Sequence, residues 1–144
     1  MALPGPNGKS NNKLENLKVL IVDDQSEIRS LIREVLVEAG IYQIFEAGDG
    51  RSAMQFVDAD FDMVNLIVCD WNMPGMNGVD FLRQIRSVFP DLPFLMITGR
   101  CDKKSVIEAK LAGVSAYISK PFSPIQLEMK IRNLVDVKTT CGRN

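Results

Sequence analysis

Asp23 and Asp24 follow an apolar run, Val19 to Val22, and Asp70 ends a second one, Leu66 to Cys69. Two further runs lead into a hydroxyl and an ammonium: Phe94 to Ile97 ends at Thr98, and Ala116 to Ile118 ends near Lys120. Unit like charges about 4 Å apart repel by about 4 kcal/mol at an effective dielectric of about 20, so three carboxylates in one cleft need a cation. Hard oxygens without histidine or cysteine suit Mg²⁺, which takes few protein ligands and keeps several waters. On this reading Asp24 and Asp70 are direct ligands, Asp23 is direct or water-bridged, and the main-chain carbonyl of Asn72 adds an oxygen. Asp70 is also the best candidate nucleophile, because an aspartate can attack phosphorus while Mg²⁺ and a lysine neutralise the phosphoryl oxygens. Lys120 fills the lysine role. Thr98 can donate its hydroxyl to a phosphoryl oxygen, and Tyr117 stands where its ring can fill space that a moving threonine vacates, the two-state element of a switch.

The rest of the composition narrows the chemistry. The chain has no histidine, which removes the usual general base, the usual zinc ligand and any phosphohistidine carrier. Its 144 residues, 46% of them hydrophobic, are enough for one globular core. A formal net charge of −1 is not the basic footprint of a nucleic-acid binder. Cys69, Cys101 and Cys141 form no CxxC pair, and their odd count argues against a closed disulfide framework. Cys69, inside an apolar run, reads as a small buried hydrophobe. No apolar stretch approaches the roughly 20 residues that cross a bilayer, and the start has no signal-peptide core. A cytoplasmic protein without nucleic-acid or membrane partners is expected.

These residues need elements to position them. Residues 1–16, rich in Gly, Pro, Ser and Asn, are expected to be a disordered tail, with the folded domain over 17–137 and a short tail over 138–144. Within the domain, short apolar runs alternate with amphipathic stretches, the pattern of an α/β doubly wound parallel sheet with helices on both faces. Strands are expected at Val19 to Val22, Tyr42 to Glu46, Leu66 to Cys69, Phe94 to Ile97 and Ala116 to Ile118. Helices are expected at Ser26 to Ala39, Gly48 to Val57, Val79 to Val88, Lys103 to Ala112 and Pro124 to Val135. The first of these places Ile28, Leu31, Ile32, Val35 and Leu36 at helical spacing, and the last carries Ile125, Leu127, Ile131, Leu134 and Val135 on its apolar side. Ligands of such sheets bind beyond the C-terminal strand ends, where Asp23, Asp24, Asp70, Thr98 and Lys120 all fall. Taken singly, an Asp-Asp pair is often a helix N-cap and a lone Tyr117 simple packing. Their shared position at the ends of different strands favours a site.

From about Lys18 to Asp136 the chain resembles the receiver domain of two-component response regulators. The matching segments are Val22-Asp23-Asp24, Asp70 through Gly78, Thr98-Gly99, and Tyr117 through Phe122. The resemblance implies a five-stranded sheet in the order 2-1-3-4-5, as in chemotaxis receivers. It implies Asp70 as phosphoacceptor, Asp23 and Asp24 as the acidic pair, Thr98 and Tyr117 as the switch pair, Lys120 as the phosphate-contacting lysine and a cis Lys120-Pro121 bond. Arg100 and Asn72 stand at positions that tune the lifetime of the acyl phosphate.

The Trp71-Asn72-Met73-Pro74 segment is closest to the single-domain chemotaxis type, whose target is a flagellar motor switch protein. The implied donor is a sensor histidine kinase or a phosphotransfer protein, and a phosphatase is a possible further partner. With no effector domain following, output is expected through docking of the helix from Lys103, the strand near Tyr117 and the last helix. A phosphorelay intermediate or the receiver piece of a larger regulator shares these residues. An aspartyl-phosphate phosphohydrolase would need a general acid where Asn72 stands, and a flavodoxin-like cofactor binder would not place Asp23-Asp24 on its first loop.

Overall fold

Parallel strands need cover on both faces, and the inner strands of this chain are apolar on both. The computed structural model describes residues 14–100 and 102–143, with Phe61 and residues 136–143 described by backbone alone. Strands β1 (Lys18–Val22), β2 (Gln43–Ala47), β3 (Leu66–Asp70), β4 (Phe94–Thr98) and β5 (Ala116–Ser119) form one parallel sheet in the order β2-β1-β3-β4-β5. The helices are α1 (Ser26–Glu38), α2 (Gly50–Ala59), α3 (Gly78–Val88), α4 (Lys103–Ala112) and α5 (Pro124–Arg143), with a short 3-10 turn at Phe61–Met63. This is the expected doubly wound fold and strand order.

Alternation along the strands divides the core in two. Leu20, Val22, Ile67, Cys69, Phe94 and Met96 pack with Ala53 and Val57 of α2, with Phe81, Leu82 and Ile85 of α3 and with Ala109 of α4. Val19, Ile21, Leu66, Val68, Leu95 and Ile97 pack on the other face with Ile32, Val35 and Leu36 of α1 and with Leu127 and Ile131 of α5. Cys69 is fully buried, as a small hydrophobe would be, and burial pushes its thiol well above the usual range. Polar caps fix where α2, α3 and α4 start: Asp49 accepts from Ser52 N, Asn77 from Asp80 N and Asp102 from Ser105 N.

Several boundaries differ from expectation. A tail is expected to reach residue 16, yet Leu14 is buried and packs with Leu17 in the α1 and α5 cluster; Leu14 sits within a stretch whose Gly, Pro and Asn content dominates its composition. Residues 1–13 lie outside the described residues. Helix α5 runs on to Arg143, so the stretch expected as a tail from 138 has helical backbone. Ile125 is 66% exposed, because it lies two residues from Leu127 and a helix turns such a pair to opposite sides. Leu31 is likewise exposed beside buried Ile32. Arg86 of α3 is half-buried as a polar tie. It donates to the carbonyls of Phe89 (3.0 Å), Leu92 (2.7 Å) and Gly113 (2.8 Å), and to Ser115 Oγ (3.1 Å).

Gly78 fixes how closely α3 approaches the end of β3. Its N–H donates to Trp71 O at 2.7 Å, and a Cβ on it would stand 2.4 Å from Asp70 O and 2.8 Å from Trp71 Cα. Backbone cannot rotate away as a side chain can. In an ordinary helix Gly→Ala is favourable by up to about 1 kcal/mol. Here Gly78→Ala is expected to destabilise by about 2–3 kcal/mol, the scale of overpacking, as read by urea denaturation. Unchanged or increased stability would mean that the close approach imposes no constraint.

Candidate functional site

Strand register assembles the site. Val22 of β1 pairs with Cys69 of β3, so Asp23 and Asp70 come next at the same level. Asp70 in turn pairs with Ile97 of β4, placing Thr98 one step beyond, and Thr98 pairs with Ser119, placing Lys120 one step beyond that. One oxygen from each of Asp23, Asp24 and Asp70 lies within 4.8 Å of the others. Lys120 Nζ is 2.9 Å from Asp70 Oδ1. Asp23, Asp70 and Thr98 are 1%, 4% and 0% exposed, whereas Asp24 opens to solvent.

The acidic pair does not cap α1: its N-cap is Gln25, and Asp23 Oδ1 instead accepts from Gln25 N at 2.9 Å. Asp23 Oδ2 is buried without a hydrogen-bond partner. Asp70 Oδ1 is buried too, and its contact with Lys120 is an ion pair that lacks good hydrogen-bond geometry. Burial pushes the Asp23 carboxyl up to about 6; the Gln25 hydrogen bond and Lys120 oppose this, and the charges of Asp70 and Asp24 add to it. Burial also raises the Asp70 carboxyl, against the pull of Lys120. One ammonium thus faces three carboxylates, and a buried carboxylate oxygen lacks a partner. An all-oxygen donor set with an unpartnered buried oxygen fits a hard divalent cation. The acidic triad is therefore consistent with a receiver metal site.

The remaining expected residues ring this pocket. Thr98 Oγ1 accepts from Arg100 N at 2.8 Å, and the Tyr117 hydroxyl donates to the Arg100 carbonyl. The Arg100 guanidinium carbon stands 5.5 Å from the centre of the ring of Trp71, the buried neighbour of Asp70. Asn72 is exposed on the loop after β3, and the Lys120–Pro121 bond is cis. Sequence reasoning singled out neither Gly78, beyond its place in a turn, nor Arg29, whose Nη1 donates to the main-chain oxygen of Asp23 at 2.6 Å. The available signal for Arg29 was its spacing with Arg33, one helical turn apart, toward acidic Glu46 near the end of a strand.

Among the described residues no helix is long and apolar enough to cross a membrane. The response regulator receiver domain profile matches residues 19–132. The chain is 42% identical over 125 residues to the chemotaxis protein CheY-3 of Vibrio cholerae, covering 85% of this chain and 94% of that one. It is 40% identical over 123 residues to the chemotaxis protein CheY of Pseudomonas aeruginosa, covering 83% of this chain and 97% of that one. A crystal structure of a response regulator receiver domain protein from Clostridium thermocellum superposes with a TM-score of 0.80 at 26% identity, covering 87% of this chain and 98% of that one. Receiver domains act as phosphoacceptor switches rather than as ordinary enzymes, and the family implies a histidine kinase as donor. With its fold, its acidic pocket and these relatives in agreement, this chain belongs to the response regulator receiver domain family.

Proposed function

We propose that the chain is a phosphorylation switch in which Asp70 takes a phosphoryl group from a phosphohistidine of a sensor kinase or phosphotransfer protein. The observation that carries this reading is buried Asp70 beside Lys120, with Asp23 and Asp24 within reach of one cation. In the transfer an Asp70 carboxylate oxygen forms the new bond to phosphorus while the phosphorus–nitrogen bond to the donor imidazole breaks, and the imidazole leaves with the electron pair. Asp23, Asp24, Asp70 and the Asn72 carbonyl would hold Mg²⁺, which would supply charge neutralisation for the phosphoryl oxygens. Lys120, whose Nζ stands 2.9 Å from Asp70 Oδ1, supplies a further positive charge. Thr98 accepts a hydrogen bond from Arg100 N, which leaves its own hydroxyl proton to donate to a phosphoryl oxygen.

Thr98 and Tyr117 are bonded to the same residue, one through the Arg100 amide and the other through its carbonyl. Movement of Thr98 toward a phosphoryl group therefore strains the bond that holds Tyr117, giving the switch a path to the surface of α4, β5 and α5. Ile107, Leu111, Ile125 and Met129 are exposed apolar side chains there, suited to a docking partner. The relatives are chemotaxis proteins, and the resemblance to the single-domain chemotaxis type makes a flagellar motor switch protein the partner we propose. A relay intermediate or the receiver of a larger regulator would use the same site, and docking assays with and without the phosphoryl mimic distinguish them from a motor-binding switch.

Phosphoryl transfer from a donor in the presence of Mg²⁺ should label the wild type, and Asp70→Asn should abolish the label; label persisting at another residue would remove Asp70 from its role. Titrating Mg²⁺ and then beryllium fluoride should give two successive saturable changes in Trp71 fluorescence. The Arg100 guanidinium stands over Trp71, next to Asp70; we expect its bulk there to hinder attacking water, so Arg100→Ala should shorten the acyl phosphate's lifetime severalfold. Equal rates of phosphoryl loss would exclude that role.

The raised carboxyl of Asp23 has a thermodynamic consequence. The unfolded chain releases this proton near 3.8 and the folded one near 6, so between these values the folded state binds more protons and its stability falls as pH rises. The penalty is at most about 3 kcal/mol at neutral pH. Without divalent cations, Asp23→Asn should raise the midpoint of urea denaturation at neutral pH and flatten its decline between about pH 4 and 6, the window set by those two values. Saturating Mg²⁺ should stabilise the wild type more than the variant. A variant less stable than the metal-free wild type would contradict this account.

A further inference from the structure

Asp23 is tethered on several sides. Its N–H donates to Ala47 O of β2 at 3.1 Å and its Oδ1 accepts from Gln25 N at 2.9 Å. Its carbonyl oxygen accepts from Arg29 Nη1 at 2.6 Å. Arg29 is itself aimed: its Nε donates to Glu46 Oε1 at 2.9 Å, while the other oxygen of Glu46 takes Arg33 Nε at 2.7 Å. Glu46 lies on β2, one residue before the Ala47 whose carbonyl holds the Asp23 amide. The two arginines lie one helical turn apart on α1 and share one carboxylate, yet only Arg29 reaches the acidic corner.

We propose that Arg29, oriented by Glu46, is a positioning residue for the metal site. It fixes the peptide unit that follows Asp23 and thereby the placement of the Asp23 and Asp24 carboxylates, which sets the affinity for a divalent cation. The inference rests on the metal reading of the acidic triad given above. Glu46 offsets the guanidinium charge close by, and the contact with Asp23 is to main chain, so Arg29 acts through geometry rather than by adding positive charge to the pocket. Arg33 is the internal control, because its loss removes an equivalent ion pair with Glu46 and no contact with Asp23. Partners that orient metal ligands from outside the coordination sphere commonly change metal affinity by about 10–100-fold when removed.

The test is a Mg²⁺ titration of the full chain by Trp71 fluorescence, with thermal unfolding recorded for each variant. Arg29→Ala should weaken Mg²⁺ binding by about tenfold, the low end of that range. Arg33→Ala should bind Mg²⁺ like the wild type even where it lowers the unfolding temperature equally. Arg29→Lys should recover part of the affinity, since an ammonium can still donate to the Asp23 carbonyl. Wild-type affinity in Arg29→Ala, or equal weakening in Arg33→Ala, would overturn the inference while leaving the metal site intact. A wild type with no saturable Mg²⁺ response would overturn the metal reading and this inference with it. Should Arg29→Ala not fold, the comparison of Arg29→Lys with Arg33→Ala decides: weaker binding in the former supports the tether, and equal binding overturns it.

Discussion

Mutual repulsion among Asp23, Asp24 and Asp70 is the constraint around which the rest of this molecule is arranged. Three carboxylates with ligand oxygens within 4.8 Å of one another, two of them on buried residues, face a single lysine. Burial, with this repulsion adding to it, makes the two buried carboxyls hold their protons more tightly than exposed ones, so the cluster by itself opposes folding at neutral pH. The surrounding core must supply the stability the cluster lacks. A site that is unfavourable when empty is also responsive, because any ligand that brings positive charge to it changes the balance.

The scaffold meets that constraint by distributing the charged residues over separate strands. The carboxylates stand at the ends of β1 and β3, apolar strands buried on both faces, so moving one would require moving a strand packed between helix layers. Close backbone approach adds to this rigidity. Gly78 brings the start of α3 against the main chain of Asp70 and Trp71, and Arg86 gathers the carbonyls of Phe89, Leu92 and Gly113 on the same side of the sheet. The strands give stiffness where charge is held, and the loops after β3 and β4 leave solvent access where a donor must enter.

Adaptability is concentrated on the side of the pocket formed by β4 and β5. Thr98 is fully buried, but its oxygen is bound to the amide of Arg100, which is exposed and belongs to the loop after β4. The same loop residue receives the Tyr117 hydroxyl and lays its guanidinium over Trp71. A single exposed residue thus touches the hydroxyl, the aromatic ring and the neighbour of the proposed phosphoacceptor. On the opposite side, Arg29 and Glu46 hold Asp23 through main chain. The pocket therefore has one wall tethered by side chains to main chain and one joined through a loop, a division suited to the proposed switch.

Alternating apolar runs and amphipathic stretches determined the five strand-helix units. Polar residues directly after those runs determined that Asp23, Asp24, Asp70, Thr98 and Lys120 would share an edge, because parallel strands in one sheet end on the same side. Local pattern could not decide which apolar residues become core. Ile125 and Leu31 carry the right chemistry on the wrong side of their helices, and Leu14 is buried although it follows a stretch rich in Gly, Pro and Asn. Nor could it reveal the roles of Gly78, Arg86 and Arg29, whose partners lie on other elements or on main chain that carries no residue-specific signal. Residue types and order specify which groups reach the edge, whereas their separations, burial and tethers depend on how the helices settle against the sheet, which only the packed tertiary structure fixes.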